Sequence, residues 1–299
     1  MSCPESTSPI DISLSSISGK CDLKCNYSFK YNDSSCTATN RGDYISLSYD
    51  ASSSPPVLYN NSGYDVKEVR IYTPSLHSYD GVKTDGELII VHSSISGAKN
   101  MLVCIPIKMN NSNDVSSILF TKVVDAMTRN APTDGETTTV TISKYNLDLV
   151  VPKRPYFSYS GTEPFQPCST SVDLIVFEPL NSAVHITQDT LNNLKKIIST
   201  NSYDVKTGNS LFYNEKGPGK TGAGDEIYID CQPVGQSDET TQIVTDTSYS
   251  TMSYTDIINN PLFKIIMGSL IFIILLYIVS VLLSTLSPSK GGDISIIVR

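Results

Sequence analysis

Short apolar runs bounded by turn residues recur through the first part of the chain. "GELIIVH" (86–92), "NMLVCIPIK" (100–108) and "SVDLIVFE" (171–178) are rich in β-branched side chains, which predicts strands. Two stretches switch to the helical period. "SILFTKVVDAM" (117–127) sets Leu119, Phe120, Val123, Val124 and Met127 on one stripe, and Thr187 caps a predicted helix whose Leu191, Leu194, Ile197 and Ile198 share a face. Many strands with few, short helices predict a mainly β domain over residues 1–235, without an internal repeat.

The pattern changes completely near the end. "IIMGSLIFIILLYIVSVLLSTL" runs 22 residues from Ile265 to Leu286 without a charge. As a helix it covers about 33 Å, enough to cross a hydrocarbon core. A transmembrane helix is therefore assigned to residues 263–286, followed by a short tail, 287–299. Lys264 stands on one side and Lys290 and Arg299 on the other, so flanking charge gives little indication of orientation. Residues 236–262 are rich in Ser, Thr and Asp, carry four acids and no base, and predict a stalk. The N-terminus shows no basic region followed by an apolar run, so no cleavable signal is expected and the plan is tail-anchored.

Composition narrows the chemistry. The chain has 299 residues, net charge −8, 17 Tyr against 8 Phe, and no Trp. An acidic chain lacks the clustered Lys and Arg that a phosphate backbone demands, which argues against a nucleic-acid partner. Residues 18–43 are polar, contain Cys21, Cys25 and Cys36, and read as a surface loop held by covalent links. This cluster is one ligand short of a zinc site. Asn26, Asn32, Asn60 and Asn110 head Asn-x-Ser sequons, candidates for glycosylation in a secretory lumen. "GPGKTGAGD" (217–225) lacks the glycine that a phosphate loop needs at position 214, occupied by Asn214, and reads as a turn.

Five stretches, in order, resemble the α-class carbonic anhydrases: "SPIDI" (8–12), "YNNSGYDV" (59–66), "TPSLHSYDG…GELIIVH" (73–92), "MLVCIPIK" (101–108) and "YSGTEPFQPCSTSVDLIVF" (159–177). The resemblance runs from about residue 3 to 235, with the cysteine-rich segment as an insertion. It implies a mainly β fold, a large twisted, mostly antiparallel sheet of about ten strands. It also implies zinc held by a His-x-His pair on one strand and a third His on its neighbour. Residues two apart on a strand face the same side, so two imidazoles converge there.

In this chain the three ligand positions correspond to Arg70, Tyr72 and Ile89. The family's glutamate–threonine hydrogen bond corresponds to Leu76 and Pro164, and its proton-shuttle histidine to Tyr64. His77, Glu87 and His92 match the family's supporting residues. The expectation is a vestigial pocket with no metal, no cofactor and no catalytic residue: not an enzyme. Arg70, if turned inward, needs a counter-charge, and Glu87 and Glu163 are the candidates. Secreted relatives carry a disulfide at the places of Cys3 and Cys168. Of seven cysteines, Cys104 in an apolar strand is the expected unpaired buried thiol, while the pairing of Cys21, Cys25, Cys36 and Cys231 stays open.

"YFSYSGTEPF…DLIVFEPLNSAVHITQDTLNNLKKI" further resembles the carbonic-anhydrase-like cell-surface-binding proteins of poxvirus envelopes. This implies a single-pass virion membrane protein of a large DNA virus, passing through host intracellular membranes during assembly. Its partners would be the membrane and a host-surface glycan or protein receptor, in attachment. The alternatives are a structural virion protein that links an internal membrane to capsid proteins and, further off, an active zinc carbonate dehydratase. Those envelope proteins bind chondroitin sulfate, yet residues 1–235 hold 19 bases against 25 acids, so that ligand is not carried over.

Overall fold

A computed structural model of the chain describes residues 3–220, apart from 23, 112, 113, 143, 208 and 209. The stalk (236–262), the span (263–286), the tail (287–299) and Cys231 lie outside the described residues. Among the described residues, no helix is long and apolar enough to cross a membrane.

The centre of the domain is a 14-stranded sheet. Ser62–Tyr72, the longest strand, pairs antiparallel with Gly86–Ser94, and this strand pairs antiparallel with Asn100–Met109. Asn100–Met109 then runs parallel to Ser171–Phe177, which returns antiparallel to Tyr156–Thr162. The sheet is mixed: three further pairings, including Val184–Ile186 on Asn100–Met109, are also parallel. A parallel neighbour needs a long crossover, and the chain between residues 110 and 170, including a helix, supplies it.

Asn100–Met109 shows why an unbroken apolar run makes a strand here. Met101, Val103, Ile105 and Ile107 face one core cluster, while Leu102 and Cys104 face the other. Both faces are covered, so no polar alternation survives in the sequence. The larger cluster is closed by two helices. α1 (Val115–Asn130) starts at Asp114, whose Oδ1 accepts the Ser117 N–H at 2.8 Å, and buries Leu119, Phe120, Val123, Val124 and Met127. α2 (Gln188–Ile197) starts at Thr187, whose Oγ1 accepts the Thr190 N–H, and buries Leu191, Leu194 and Ile197, with Ile198 buried at its end.

The cysteine-rich segment is not a surface loop. Ile17–Lys20, Tyr27–Phe29 and Thr37–Asn40 are strands of the main sheet, and Tyr27, Phe29, Tyr31 and Ala38 are buried in the larger cluster. The period-two spacing of Tyr27, Phe29 and Tyr31 drives this, because it gives an otherwise polar stretch one apolar face. Cys21 is bonded to Cys25 and Cys3 to Cys168, and the latter bond closes a separation of 165 residues. Cys36 joins Cys104 as a buried free thiol, so the described residues hold two of these where one was expected.

Candidate functional site

Arg70 and Tyr72 lie two residues apart on Ser62–Tyr72 and share a face. Across the ladder Arg70 is opposite Ile89 and Tyr72 is opposite Glu87. The three side chains therefore meet at one place in the sheet, as alternation along paired strands requires.

The Arg70 side chain is 14% exposed, and its Nε donates to Glu68 Oε2 at 2.8 Å. Ser46 Oγ donates to the other Glu68 oxygen at 2.5 Å. The guanidinium carbon sits 3.8 Å above the Phe165 ring and 4.7 Å above Tyr44. Tyr44 stacks on Tyr72 with ring centroids 5.2 Å apart, and Tyr203 meets Tyr72 edge-on at 6.0 Å. Burial opposes the charge on Arg70, and neighbouring Tyr72 and Glu68 more than restore it. The result is a cation enclosed by aromatic faces, with one carboxylate as its ion pair.

Two expectations need correction. The counter-charge of Arg70 is Glu68, not Glu87 or Glu163. Glu68 precedes Arg70 by two residues and so lies on its face. Glu87 is spent elsewhere: its Oε2 accepts the N–H groups of Leu76 and His77, and its Oε1 takes His77 Nδ1 at 2.6 Å. Glu163 is buried in the loop after Tyr156–Thr162; burial pushes its carboxyl above the ordinary range, with Lys67 and Arg70 acting the other way. Finally, Tyr64 does not share the pocket. A bulge shifts the register between Val91 and His92, so that Val91 pairs with Glu68 but His92 pairs with Val66. The extra residue reverses the alternation and turns Tyr64 into the larger core cluster, away from Arg70 and Tyr72.

The donor set at Arg70, Tyr72 and Ile89 does not fit zinc. A guanidinium has no lone pair to give and repels a divalent cation. Burial holds the Tyr72 phenol well above its ordinary pKa, and so protonated, and Ile89 offers no donor atom. Pro164, next in the chain to Phe165, likewise offers no side-chain donor atom.

Below the enclosure lies a buried polar buttress. His77 Nε2 lies 2.7 Å from the Tyr159 hydroxyl while Nδ1 holds Glu87, and both residues are fully buried. Ligand-type atoms of His77, Glu87 and Cys104 fall within 4.8 Å of one another. Both ring nitrogens of His77 and both Glu87 oxygens are already engaged, so the group ties strands together instead of waiting for an ion. His92 bonds Tyr31 through Nε2 at 2.9 Å, which anchors the inserted segment to the central strands.

Sequence reasoning missed Glu68, Tyr44, Phe165 and Tyr203. The two-residue spacing of Glu68 from Arg70 would have found the first. The others come from distant segments, and nothing local marks them. The four sequon residues, Asn26, Asn32, Asn60 and Asn110, are all exposed.

The family model described as eukaryotic-type carbonic anhydrase matches residues 2–212. A search of curated proteins finds no match. Among solved structures, a carbonic anhydrase from Chlamydomonas reinhardtii in complex with acetazolamide is similar at TM-score 0.60 and 18% identity, over 71% of this chain and 91% of that one. An α-carbonic anhydrase from Thermovibrio ammonificans in complex with sulfanilamide is similar at TM-score 0.57 and 19% identity, over 69% and 86%. Dioscorin complexed with ascorbate is similar at TM-score 0.60 and 16% identity, over 71% and 87%. At these identities the structural likeness is one of fold. The expectation that the chain is not an enzyme is overturned here, because the matched family and its carbonic anhydrase neighbours are enzymes. With most of its length matched and the fold shared, the chain belongs to the eukaryotic-type carbonic anhydrase family.

Proposed function

We propose that the chain is a single-pass membrane protein of a large DNA virus whose carbonic-anhydrase-like domain binds a host-surface ligand, a glycan or a protein receptor, during attachment. The observation that carries this reading is the Arg70 enclosure. Tyr44, Phe165 and Glu68 already surround the guanidinium, so recognition of a partner falls to the outer surface of the domain. The uncharged run 265–286 supports membrane attachment, and the viral setting rests on the resemblance of residues 156–197 to poxvirus envelope proteins. With acids outnumbering bases in residues 1–235, binding would use local patches and not a uniformly basic face.

Two measurements test the reading. A membrane-impermeant amine reagent applied to intact particles should label domain lysines, and detergent-solubilised full-length protein should bind host cells saturably and compete with particles. A domain shielded in intact particles would favour the internal role instead, a contact between viral membrane and capsid proteins.

A further inference from the structure

A cavity of about 400 Å³ opens at the start of α1, outside the Arg70 enclosure. Three segments converge on it: the first turn of α1 (Asp114, Val115, Ser116), the stretch bearing Lys153 and Arg154, and the turn bearing Ser182 before the strand Val184–Ile186.

The polar groups there are unevenly satisfied. Ser182 is 3% exposed, and its Oγ has no hydrogen-bond partner among the described residues. A buried hydroxyl left unpaired is costly, and such groups call for a physical account. Lys153 and Arg154 are exposed, and neither makes an ion pair or hydrogen bond among the described residues. The N–H groups of Val115 and Ser116 precede the first intrahelical bond and point out of a 16-residue helix at its positive end. The carboxylate of Asp114 opposes an anion. However, its Oδ1 accepts from Ser117 N–H and Ser116 Oγ–H, and its Oδ2 lies 3.1 Å from His185 Nδ1. Counting Lys153 and Arg154 against Asp114, the lining carries two positive charges and one negative.

We propose that this cavity binds a tetrahedral oxyanion, sulfate or phosphate, between the α1 N-terminus, the Ser182 hydroxyl and the Lys153–Arg154 pair. The anion accepts the orphan hydroxyl proton and the first-turn N–H groups, and the two cations balance its charge. The site is independent of the attachment reading and stands or falls without it.

The test uses the full chain in detergent. Thermal midpoints are followed against inorganic sulfate or inorganic phosphate, with chloride at matched ionic strength. Sulfate and phosphate also stabilise folded proteins generally, by exclusion, so the relevant quantity is the saturable component. Wild-type protein should show saturation. K153Q/R154Q should lose it while keeping the general rise, and Ser182→Ala should weaken the apparent affinity roughly three- to tenfold. Methyl sulfate and glycerol phosphate separate sources: saturation by an ester supports a site for esterified groups, and saturation by the free ions alone supports a site for the free ion. A strictly linear response in wild type, or saturation unchanged in K153Q/R154Q, overturns the proposal.

Discussion

The guanidinium of Arg70 lies 3.8 Å above the ring of Phe165, two chain-distant residues joined face to face in the cleft. Phe165 comes from the loop after Tyr156–Thr162, so this contact clamps that loop onto the central strand. A cation over an aromatic face gives about 0.5–2 kcal/mol, and the Glu68 carboxylate supplies the compensating charge. Both members of the ion pair are mostly buried, at 14% and 17% exposure.

Removing only one member of that pair should therefore be the damaging change. Glu68→Gln leaves a buried cation without its counter-charge and should lower stability by about 3 kcal/mol. The double variant E68L/R70M removes both charges and should recover much of that loss, because apolar side chains replace a buried pair with little penalty. Urea midpoints of wild type, E68L, R70M and E68L/R70M give the coupling. Simple additivity would show that Arg70 and Glu68 do not act as a pair.

His92 gives the fold a pH dependence. Burial pushes its imidazole down to about 3, with backbone groups of Ile90 and Met101 acting in the opposite sense. The unfolded chain protonates His92 near its ordinary 6.5, so between about 6.5 and 3 the unfolded state binds more protons. Stability contributed by neutral His92 is thus complete above about pH 6.5 and declines as pH falls through that window. From pH 7 to pH 5 the loss should be about 2 kcal/mol from this residue. His92→Gln should be less stable at pH 7 but should flatten the acid limb. An unchanged slope between pH 7 and 5 would place the acid sensitivity elsewhere.

What could be read from the chain follows from how far each signal reaches. The central strands and both helices were legible, since period-two and period-3.6 patterns are local; the Thr187 cap sits in place, whereas the Asp114 cap of α1 emerges only in the structure. The fold followed from five motifs. The enclosure was legible only at its floor, where Arg70, Tyr72 and Ile89 are linked by strand pairing. Its walls were not, because Tyr44, Phe165 and Tyr203 are brought in by tertiary folding. Tyr64 was misplaced by one bulge, an insertion that leaves no mark in composition yet turns every residue beyond it to the other face. The inserted segment was misread because its polar background hides the Tyr27, Phe29 and Tyr31 alternation.

The sequons should not be equivalent. The amide nitrogen of Asn60 donates to the Lys24 carbonyl at 2.8 Å, and its Oδ1 accepts the Asn26 N–H at 2.9 Å, at a residue with φ of 48°. A glycan on Asn60 must disrupt this turn, whereas among the described residues no hydrogen bond engages the exposed Asn32 side chain. In protein routed through a secretory lumen, site-resolved mass spectrometry should find higher occupancy at Asn32 than at Asn60. The reverse order would mean that transfer precedes formation of the turn.

The cysteines among the described residues separate into structural bonds and sealed thiols. Burial pushes the Cys36 thiol up to about 12 and raises Cys104 as well, the latter with help from nearby Glu87. Only the thiolate attacks a maleimide, so neither should react in the native protein at pH 8. Denaturation without reductant should expose both, and among the described cysteines peptide mapping should find two newly labelled residues, Cys36 and Cys104. Cys3, Cys21, Cys25 and Cys168 should label only after reduction. Of the two bonds, Cys3–Cys168 closes the far longer loop and, in the chain-entropy picture, contributes about 5 kcal/mol. C3S/C168S should therefore shift the urea midpoint much further than C21S/C25S, which constrains a separation of only four residues. Equal shifts would mean that strain or contacts in the folded state, and not loop closure, set the value of these bonds.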